Sequence, residues 1–561
     1  MNNDIIFNEA IIFQNQENSL VTKPEEDVEV KQEQKPLSEA IKNLLETYHK
    51  EKEKEFLSAN EPRVKVGETL GSIAWVYEKI RSTVDYKGEH LLRRNAIERI
   101  IKRLLWDKSK FDSEKVANHL IRELIWARYL KNDTVYKSEI KKIAKILDKY
   151  YYLGFGTQWQ SWLLGIASCE IEEELIPNLF HIDAYTQAMY NWFMENFNWQ
   201  DQNLSPQDKN IQILIAIHRA LPKSDDSRIR YHLLRIFYQG WDNPNESLLT
   251  EIKGNLYKIH REIEDKINHS VQLRLYRYIQ KSTAPFLILE DLVDEDYKQA
   301  KEILENPKKL EWKIREICDK RYAQIRERVN RGITRSIIYI FLTKVLLAAI
   351  IEIPYEMYFI KRFNYLPISI NALIPPILMF LVGLSIKRPN ETNTERIIER
   401  IKGFVYPKQN EEKSSFSMIQ SQQRTALNKA FSFFYGIFFI VLMGALAYGL
   451  MKLNFNVVSA LIFFIFLSMV LLLGYRVRFT ASELMVVSEK EGFFAQMFSN
   501  LTLPFLRLGF WISRGLSKLN FLTIILDFII EAPLKIIIEV VDEWTSFIRE
   551  KKEELVEVPP T

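Results

Sequence analysis

The residues with the clearest chemical potential interrupt an apolar stretch at 341–359, FLTKVLLAAIIEIPYEMYF. This stretch holds one cation, Lys344, and two carboxylates, Glu352 and Glu356, which are four residues apart and therefore share a helical face. A charge near the middle of a membrane-spanning helix costs several kcal/mol, and such a residue usually faces the interior of the bundle. We therefore predict a functional or pairing role for Lys344.

A pairing role requires a partner for Lys344, and the sequence offers three kinds. They are the backbone carbonyls near Pro375 and Pro376, the side chain of Asn371, and the carboxylates of Asp527 and Glu531. The second, third and fourth apolar segments contain no uncompensated acid. Pairing with either C-terminal carboxylate would join the first span to the C-terminal region in one buried ion pair.

Glu352 and Glu356 have a simpler interpretation, as residues of a membrane boundary. Counted from Ser336 at about 1.5 Å per residue, they lie about 24 and 30 Å along a helix, close to the ~30 Å thickness of the hydrocarbon layer. Tyrosines and two basic residues surround or follow them. This interpretation predicts that the hydrophobic part ends near Ile353 and that Pro354 marks its end.

A second polar set lies in the C-terminal region. Its members recur every four residues, which draws one polar stripe along an otherwise apolar helix: Asp527, Glu531, Lys535, Glu539 and Glu543. Two interpretations remain open. Either this amphipathic helix packs against protein on the cytoplasmic side, or residues 519–541 form a fifth span in which the stripe lines a polar path.

No motif points to an enzyme, a cofactor or a metal site. The sequence lacks GxxxxGK[ST], HExxH, CxxC and GxSxG patterns. None of the eight histidines has ligand spacing to a partner, and we interpret Glu172–Glu174 as a solvated helix face. Basic stretches alternate with acidic residues, so nucleic-acid binding is not expected.

Four apolar segments must position Lys344 and its neighbours, and together they define a membrane domain at 336–475. Each is long enough to cross about 30 Å of hydrocarbon. The predicted spans are 336–360, 366–386, 430–451 and 457–475. The last two contain no charged residue, whereas Pro375 and Pro376 should kink the second.

The rest of the chain is polar and helical in pattern. Few turn formers are present, 18 Gly and 19 Pro in 561 residues, which favours long helices with short connections. We predict a disordered tail at 1–36, a cytoplasmic all-helical domain at 37–307 that resembles a bundle or solenoid in pattern, and a basic juxtamembrane helix at 308–335. Interfacial amphipathic helices are expected at 476–550, followed by a flexible tail at 551–561.

The distribution of basic residues predicts the orientation. The 387–429 loop carries nine Lys or Arg, whereas the connections on the opposite side carry three in total. We therefore expect the N-terminal domain, the 387–429 loop and the C-terminus to be cytoplasmic, at a cell inner membrane. Within the loop, TERIIERIKGFVY is predicted to form an amphipathic helix on the membrane surface.

The sequence thus predicts an all-α chain with a large helical domain followed by four spans, or five if 519–541 crosses. The leading functional hypothesis is a membrane-anchored scaffold or recruitment protein rather than an enzyme. Its expected partners are the lipid bilayer, anionic headgroups at the basic juxtamembrane segments and proteins bound by the helical domain; homo-oligomers are compatible with the sequence. The alternative is a channel, transporter or insertase that uses the charges of span one and the C-terminal stripe.

Overall fold

The computed structural model describes most of the chain. The described residues are 34–56, 61–67, 75, 78–79, 91–105, 111–176, 180–199, 204–295, 297–361, 364–386, 389–407, 414–416, 424–486, 493–518, 540–541, 544, 547–548 and 551. The predicted tails at 1–36 and 551–561 lie outside this set except for 34–36 and Lys551.

The region before the spans is built almost entirely of helices. They are α1 Glu39–Phe56, α2 Leu92–Leu104, α3 Ser113–Trp126, α4 Lys137–Leu153, α5 Gln160–Leu175, α6 Phe180–Asn196, α7 Pro206–Ala220, α8 Asp226–Phe237, α9 Glu246–Ile267, α10 Gln272–Gln280, α11 Thr283–Glu295 and α12 Ala300–Glu305. Short polar side chains start several of them. Ser205 accepts a hydrogen bond from the backbone N–H of Asp208, and Asn245 accepts one from Leu248.

The spans follow directly. Helix α13 runs over Pro307–Leu347 and continues as a π-helix at Ala348–Glu352, an α-turn at Ile353–Tyr355 and a second π-helix at Glu356–Ile360. The later helices are α14 Tyr365–Leu384, α15 Glu391–Val405, α16 Arg424–Lys452, α17 Val457–Ala481 and α18 Phe493–Lys518. Four helices are long and apolar enough to cross a membrane: α13 with its extension, α14, α16 and α17. The predicted all-α fold with four spans is confirmed.

The helical region contains two buried apolar clusters. We call the first core A; it is centred on helices α2 to α5 and α7 to α9 and includes Ile97, Leu120, Ile143 and Leu163. We call the second core B; it collects residues from α1, α6, α7 and α10 to α13. Core B also contains Ile386, Ala481 and Leu484, which follow or end α14 and α17, so the helical region and the spans share one apolar cluster.

The loop between the second and third spans belongs to core B. The apolar face of α15 is completely covered, with Ile397, Ile401 and Val405 each 0% exposed. The prediction that this helix lies on the membrane surface is therefore wrong, because helices α11 and α13 cover the face that would have entered the lipid. A second tie is a short parallel pair of strands, β1 Phe197–Trp199 and β2 Ser414–Phe416, with Phe197 opposite Ser414.

Candidate functional site

Lys344 lies in the last turn of α13 and forms an ion pair with Glu352. The distance from Lys344 Nζ to Glu352 Oε1 is 2.8 Å, and both side chains are 0% exposed. Eight residues along a regular α-helix are separated by about 12 Å and about 80° around the axis. The long lysine stem spans this separation, and the intervening π-helix widens the turn that carries Glu352.

Asn371 of α14 joins this ion pair to two neighbouring helices. Its Nδ2 donates to both carboxylate oxygens of Glu352, at 3.1 Å each, and also lies 3.1 Å from the backbone carbonyl of Ser459 in α17. The ring of Phe466, also in α17, lies 4.8 Å from Lys344 Nζ. Helices α13, α14 and α17 therefore meet at one buried polar group, which we call the Lys344 cluster: Lys344, Glu352, Asn371 and Ser459.

Glu356 anchors the far end of the same span. Its Oε2 accepts from the backbone N–H of Asn364 at 3.0 Å, and its Oε1 accepts from Asn456 Nδ2 at 3.1 Å. Asn364 and Asn456 are the N-caps of α14 and α17. An anionic side chain is favoured at a helix N-terminus because unpaired N–H groups and the helix dipole point toward it.

The position of the two glutamates at a membrane boundary stays a prediction, but their side chains face the protein interior. Glu352 is 0% exposed and Glu356 is 2% exposed, whereas the nearby Phe359 is 79% exposed. Pro354 does not end the helix, which continues to Ile360. The estimate from helix length missed this because it measured only position along the axis, whereas the π-helical turns and the partners on α14 and α17 decide which way the side chains face.

The predicted partners of Lys344 are placed as follows. Asn371 is in the cluster, but it contacts Glu352 rather than the amine. Pro375 and Pro376 are buried inside α14. Asp527, Glu531, Lys535, Glu539 and Glu543 lie outside the described residues, as does 519–539 of the alternative fifth span. The partner in the structure, Glu352, was present in the sequence eight residues away, but that spacing is not a regular helical contact.

A second polar group lies in the helical region, where sequence reasoning expected none. It brings together one residue from each of four successive helices: Glu173 of α5, Asp183 of α6, His218 of α7 and His232 of α8. We call it the histidine–carboxylate cluster. His232 Nε2 lies 3.9 Å from Glu173 Oε1 and 3.7 Å from Asp183 Oδ1. The rings of His218 and His232 have centroids 4.5 Å apart.

The interpretation of Glu172–Glu174 as a solvated face is wrong. Glu172 is 3% exposed and accepts a hydrogen bond from Arg228 Nη2 at 2.7 Å. Glu173 is directed at the histidines, and only Glu174 is engaged at an exposed site, by Lys142. Helix α5 is buried on several sides, so its acidic residues are placed by partners on α8 and α4 and not by solvent.

The two histidines of this cluster have unsatisfied nitrogens. Within the described part of the chain, His218 Nδ1 and His232 Nε2 are buried and have no hydrogen-bond partner. Burial strongly lowers the pKa of His218 and lowers that of His232 to about 3, so both rings are neutral near pH 7. Burial also raises the pKa of Asp183 and, with the nearby Asp183 carboxylate, raises that of Glu173 to about 8.

Glu170, a buried carboxylate on α5 beside this cluster, differs from Glu173 because its oxygens are fully hydrogen-bonded. Glu170 accepts hydrogen bonds from Lys149 Nζ at 2.5 Å, Tyr150 Oη at 2.7 Å and Trp241 Nε1 at 3.1 Å. Its oxygens are therefore occupied. A cavity of about 990 Å³ opens beside this group and is also lined by Glu173, so solvent-sized species can approach Glu173 from this side.

Sequence reasoning missed the histidine–carboxylate cluster because no two of its members share a short spacing. His218 and His232 are 14 residues apart, and the two carboxylates are ten apart. A pattern search for ligands on one helix cannot find a group in which each helix contributes one residue. No protein family, characterised protein or solved structure matches this chain.

Proposed function

We propose that this protein is a membrane-anchored scaffold, without a catalytic role, that recruits protein partners through its N-terminal helical region. The observation that supports this most directly is the continuity of α13. Its residues Leu310, Ile314 and Val329 are buried in core B, and the same helix continues into the spans at Ile340 and Lys344. A partner bound to the helical region would thus be held at a fixed position relative to the membrane.

The charges of α13 divide along its length in a way that suits this role. Near the helical region, Arg321 pairs with Asp291 and Lys313 pairs with Glu295. Closer to Ser336, the arginines are exposed to solvent: Arg326, Arg328, Arg331 and Arg335. Exposed arginines beside a span are positioned to contact anionic headgroups, at about 1 kcal/mol each.

The proposed location is a cell inner membrane with the helical region in the cytoplasm. This orientation rests on the excess of Lys and Arg at 308–335 and 387–429. The packing of α15 against α11 and α13 supports placing the 387–429 loop and the N-terminal region on the same side.

A second candidate function is a channel, transporter or insertase. It is favoured by charged residues inside a span and by the two π-helical segments next to them, since π-helical turns are frequent at functional sites. The anchoring role is preferred because the charged atoms of Lys344, Glu352 and Glu356 are all engaged by partners within the protein.

One comparison distinguishes these two functions. Full-length protein carrying a proximity-labelling tag at its N-terminus would be expressed at native level, with an unrelated four-span protein as the control. We expect a small set of proteins to be enriched over the control, and enrichment of none would contradict the scaffold. Ion and solute flux would be measured in proteoliposomes in parallel. Flux that is lost in a Lys344→Leu/Glu352→Leu double variant would support the second candidate.

A further inference from the structure

We propose that the histidine–carboxylate cluster binds one divalent transition-metal ion, with Zn²⁺ as the best match. The ligands would be Glu173, Asp183 and His232, with the ring of His218 packed against that of His232. This site goes beyond the scaffold function and does not depend on it, because no step of membrane anchoring or partner recruitment involves these four side chains.

The spacing of the ligand atoms fits one ion. One ligand atom from each of Glu173, Asp183 and His232 lies within 4.8 Å of the others. Zn²⁺ binds nitrogen and carboxylate oxygen at about 2.0–2.2 Å, so two ligands of the same ion lie within about 4.2 Å of each other. The distances from His232 Nε2 to the carboxylate oxygens, 3.7 and 3.9 Å, fall inside that limit and are too long for hydrogen bonds.

The unsatisfied histidine nitrogens are a second and independent observation. His218 is only 5% exposed, and its Nδ1 has no hydrogen-bond partner within the described residues. A buried polar atom without a partner destabilises the folded state, and most such atoms in folded proteins are paired. The ring of His218 lies against that of His232, whose Nε2 is also without a partner. A bound metal ion would satisfy His232 Nε2, since neutral imidazole is the form that binds metals.

The surroundings of Glu173 resemble the outer support of a metal site. Arg235 Nη1 lies 3.5 Å from Glu173 Oε2, and Tyr231 donates a hydrogen bond to the same carboxylate. The contact with Arg235 is made by Oε2, whereas Oε1 faces His232. Outer partners of this kind orient the carboxylates and imidazoles that bind metal ions. The adjacent cavity, lined by Glu173, Tyr231 and Arg235, offers a route of access.

The types of ligand restrict the choice of metal. One imidazole and two carboxylates suit Zn²⁺, with Fe²⁺ and Mn²⁺ as weaker matches, whereas Mg²⁺ and Ca²⁺ prefer oxygen alone. The nearest thiol on α5, Cys169, is fully buried and donates to the carbonyl of Gly165, so it is engaged elsewhere. The position of the cluster between four helices is one in which helical bundles commonly hold metal ions.

The test uses the full-length protein purified in detergent, treated with chelator and then titrated with Zn²⁺ alone. Zn²⁺ content is measured by elemental analysis after desalting, and affinity by calorimetry. We expect about one Zn²⁺ per chain and more than a 100-fold loss of affinity in His232→Ala and in Asp183→Asn, because loss of an outer partner alone typically costs 10–100-fold. Co²⁺ substitution should give a visible absorption band that both variants lose.

The matched control is His260→Ala. His260 also packs its ring against aromatic residues, Trp159 and Trp162, but it lies on α9 away from the cluster. This variant should bind Zn²⁺ as the unmodified protein does. Each variant is checked for folding by circular dichroism and size-exclusion chromatography. Zn²⁺ binding that is absent from the unmodified protein, or that persists unchanged in a folded His232→Ala variant, would overturn the proposal.

Discussion

The two polar clusters of this protein differ in which of their atoms lack a partner. In the Lys344 cluster, each charged atom has a partner within hydrogen-bond distance, although Asn371 Oδ1 and the Ser459 hydroxyl have none within the described residues. In the histidine–carboxylate cluster, His232 Nε2 faces two carboxylates at distances that no hydrogen bond spans. In the first arrangement every charged atom is paired within the chain, which suits a structural joint. The second leaves His218 Nδ1 and His232 Nε2 without a hydrogen-bond partner among the described residues.

The largest expected effect is the loss of one partner in the Lys344 cluster. Lys344→Leu leaves Glu352 buried without its counter-ion, and we expect destabilisation of about 3–5 kcal/mol because an uncompensated buried charge is costly. The Lys344→Leu/Glu352→Leu double variant should recover most of this loss. Melting temperature in detergent, followed by fluorescence-detected size exclusion, measures both. A Lys344→Leu variant as stable as the unmodified protein would contradict the interpretation that this cluster holds the helices together.

A metal-dependent effect is expected next. If the histidine–carboxylate cluster binds Zn²⁺, a concentration 100 times the dissociation constant should stabilise the protein by about 2.7 kcal/mol. Thermal unfolding with Zn²⁺ and with chelator would measure the difference. The Lys344→Leu/Glu352→Leu variant should show the same Zn²⁺ response as the unmodified protein, since the two groups share no residue. Equal melting temperatures with Zn²⁺ and with chelator would contradict the proposed difference between the two clusters.

A smaller effect is expected for the bridging amide. Asn371→Leu removes the donor to both oxygens of Glu352 and to the carbonyl of Ser459. Buried acceptors that lose their donor cost about 1–3 kcal/mol. We expect this variant to melt between the unmodified protein and Lys344→Leu in the same detergent assay. A loss as large as that of Lys344→Leu would show that the amide, rather than the ion pair, is the principal bond between these helices.

An effect of similar size is expected for the Tyr231 hydroxyl, which supports the proposed ligand Glu173. Tyr231→Phe removes the hydroxyl that donates to Glu173 and keeps the ring that packs on His232. We expect a 10–100-fold weaker Zn²⁺ affinity by calorimetry, which is the usual range for an outer partner. Unchanged affinity would indicate that Glu173 is oriented without the hydroxyl and would place more weight on Arg235.

The smallest effect is expected from an exposed ion pair on the same helix as Lys344. Glu327 and Arg331 form an i,i+4 pair at 3.4 Å, with side chains 65% and 58% exposed. Such pairs contribute about 0.3–0.5 kcal/mol because solvent screens them. Arg331→Gln should therefore leave the melting temperature almost unchanged. A large shift in melting temperature would mean that burial does not explain why Lys344 contributes more to stability than the exposed cations of α13.

The sequence was sufficient to predict the four spans and a pairing role for Lys344, but it did not identify the partner of Lys344. Runs of apolar residues and helical periodicity predict the four spans because the hydrocarbon layer fixes their length. The position of Glu352 depends on a π-helix and on Asn371 of another helix, and neither has a pattern along the chain. The same limit applies to α15, whose amphipathic pattern fits a lipid surface and a protein core equally well.

The acidic run Glu172–Glu174 shows the limit most clearly. Three successive glutamates usually face solvent, yet here one binds Arg228, one faces His232 and one binds Lys142. Each of these partners is on a different turn or helix, so the environment of the run is decided by tertiary packing. Charge alone could not distinguish the three roles.

The continuity of the first span has a mechanical consequence. The helix from Pro307 to Ile360 has 54 residues, which at 1.5 Å per residue gives a rod of about 81 Å. A helix tilts when the thickness of the bilayer changes, and a tilt of about 10° would move the far end of such a rod by about 14 Å. Because the rod is also part of core B, the N-terminal helices would swing with it.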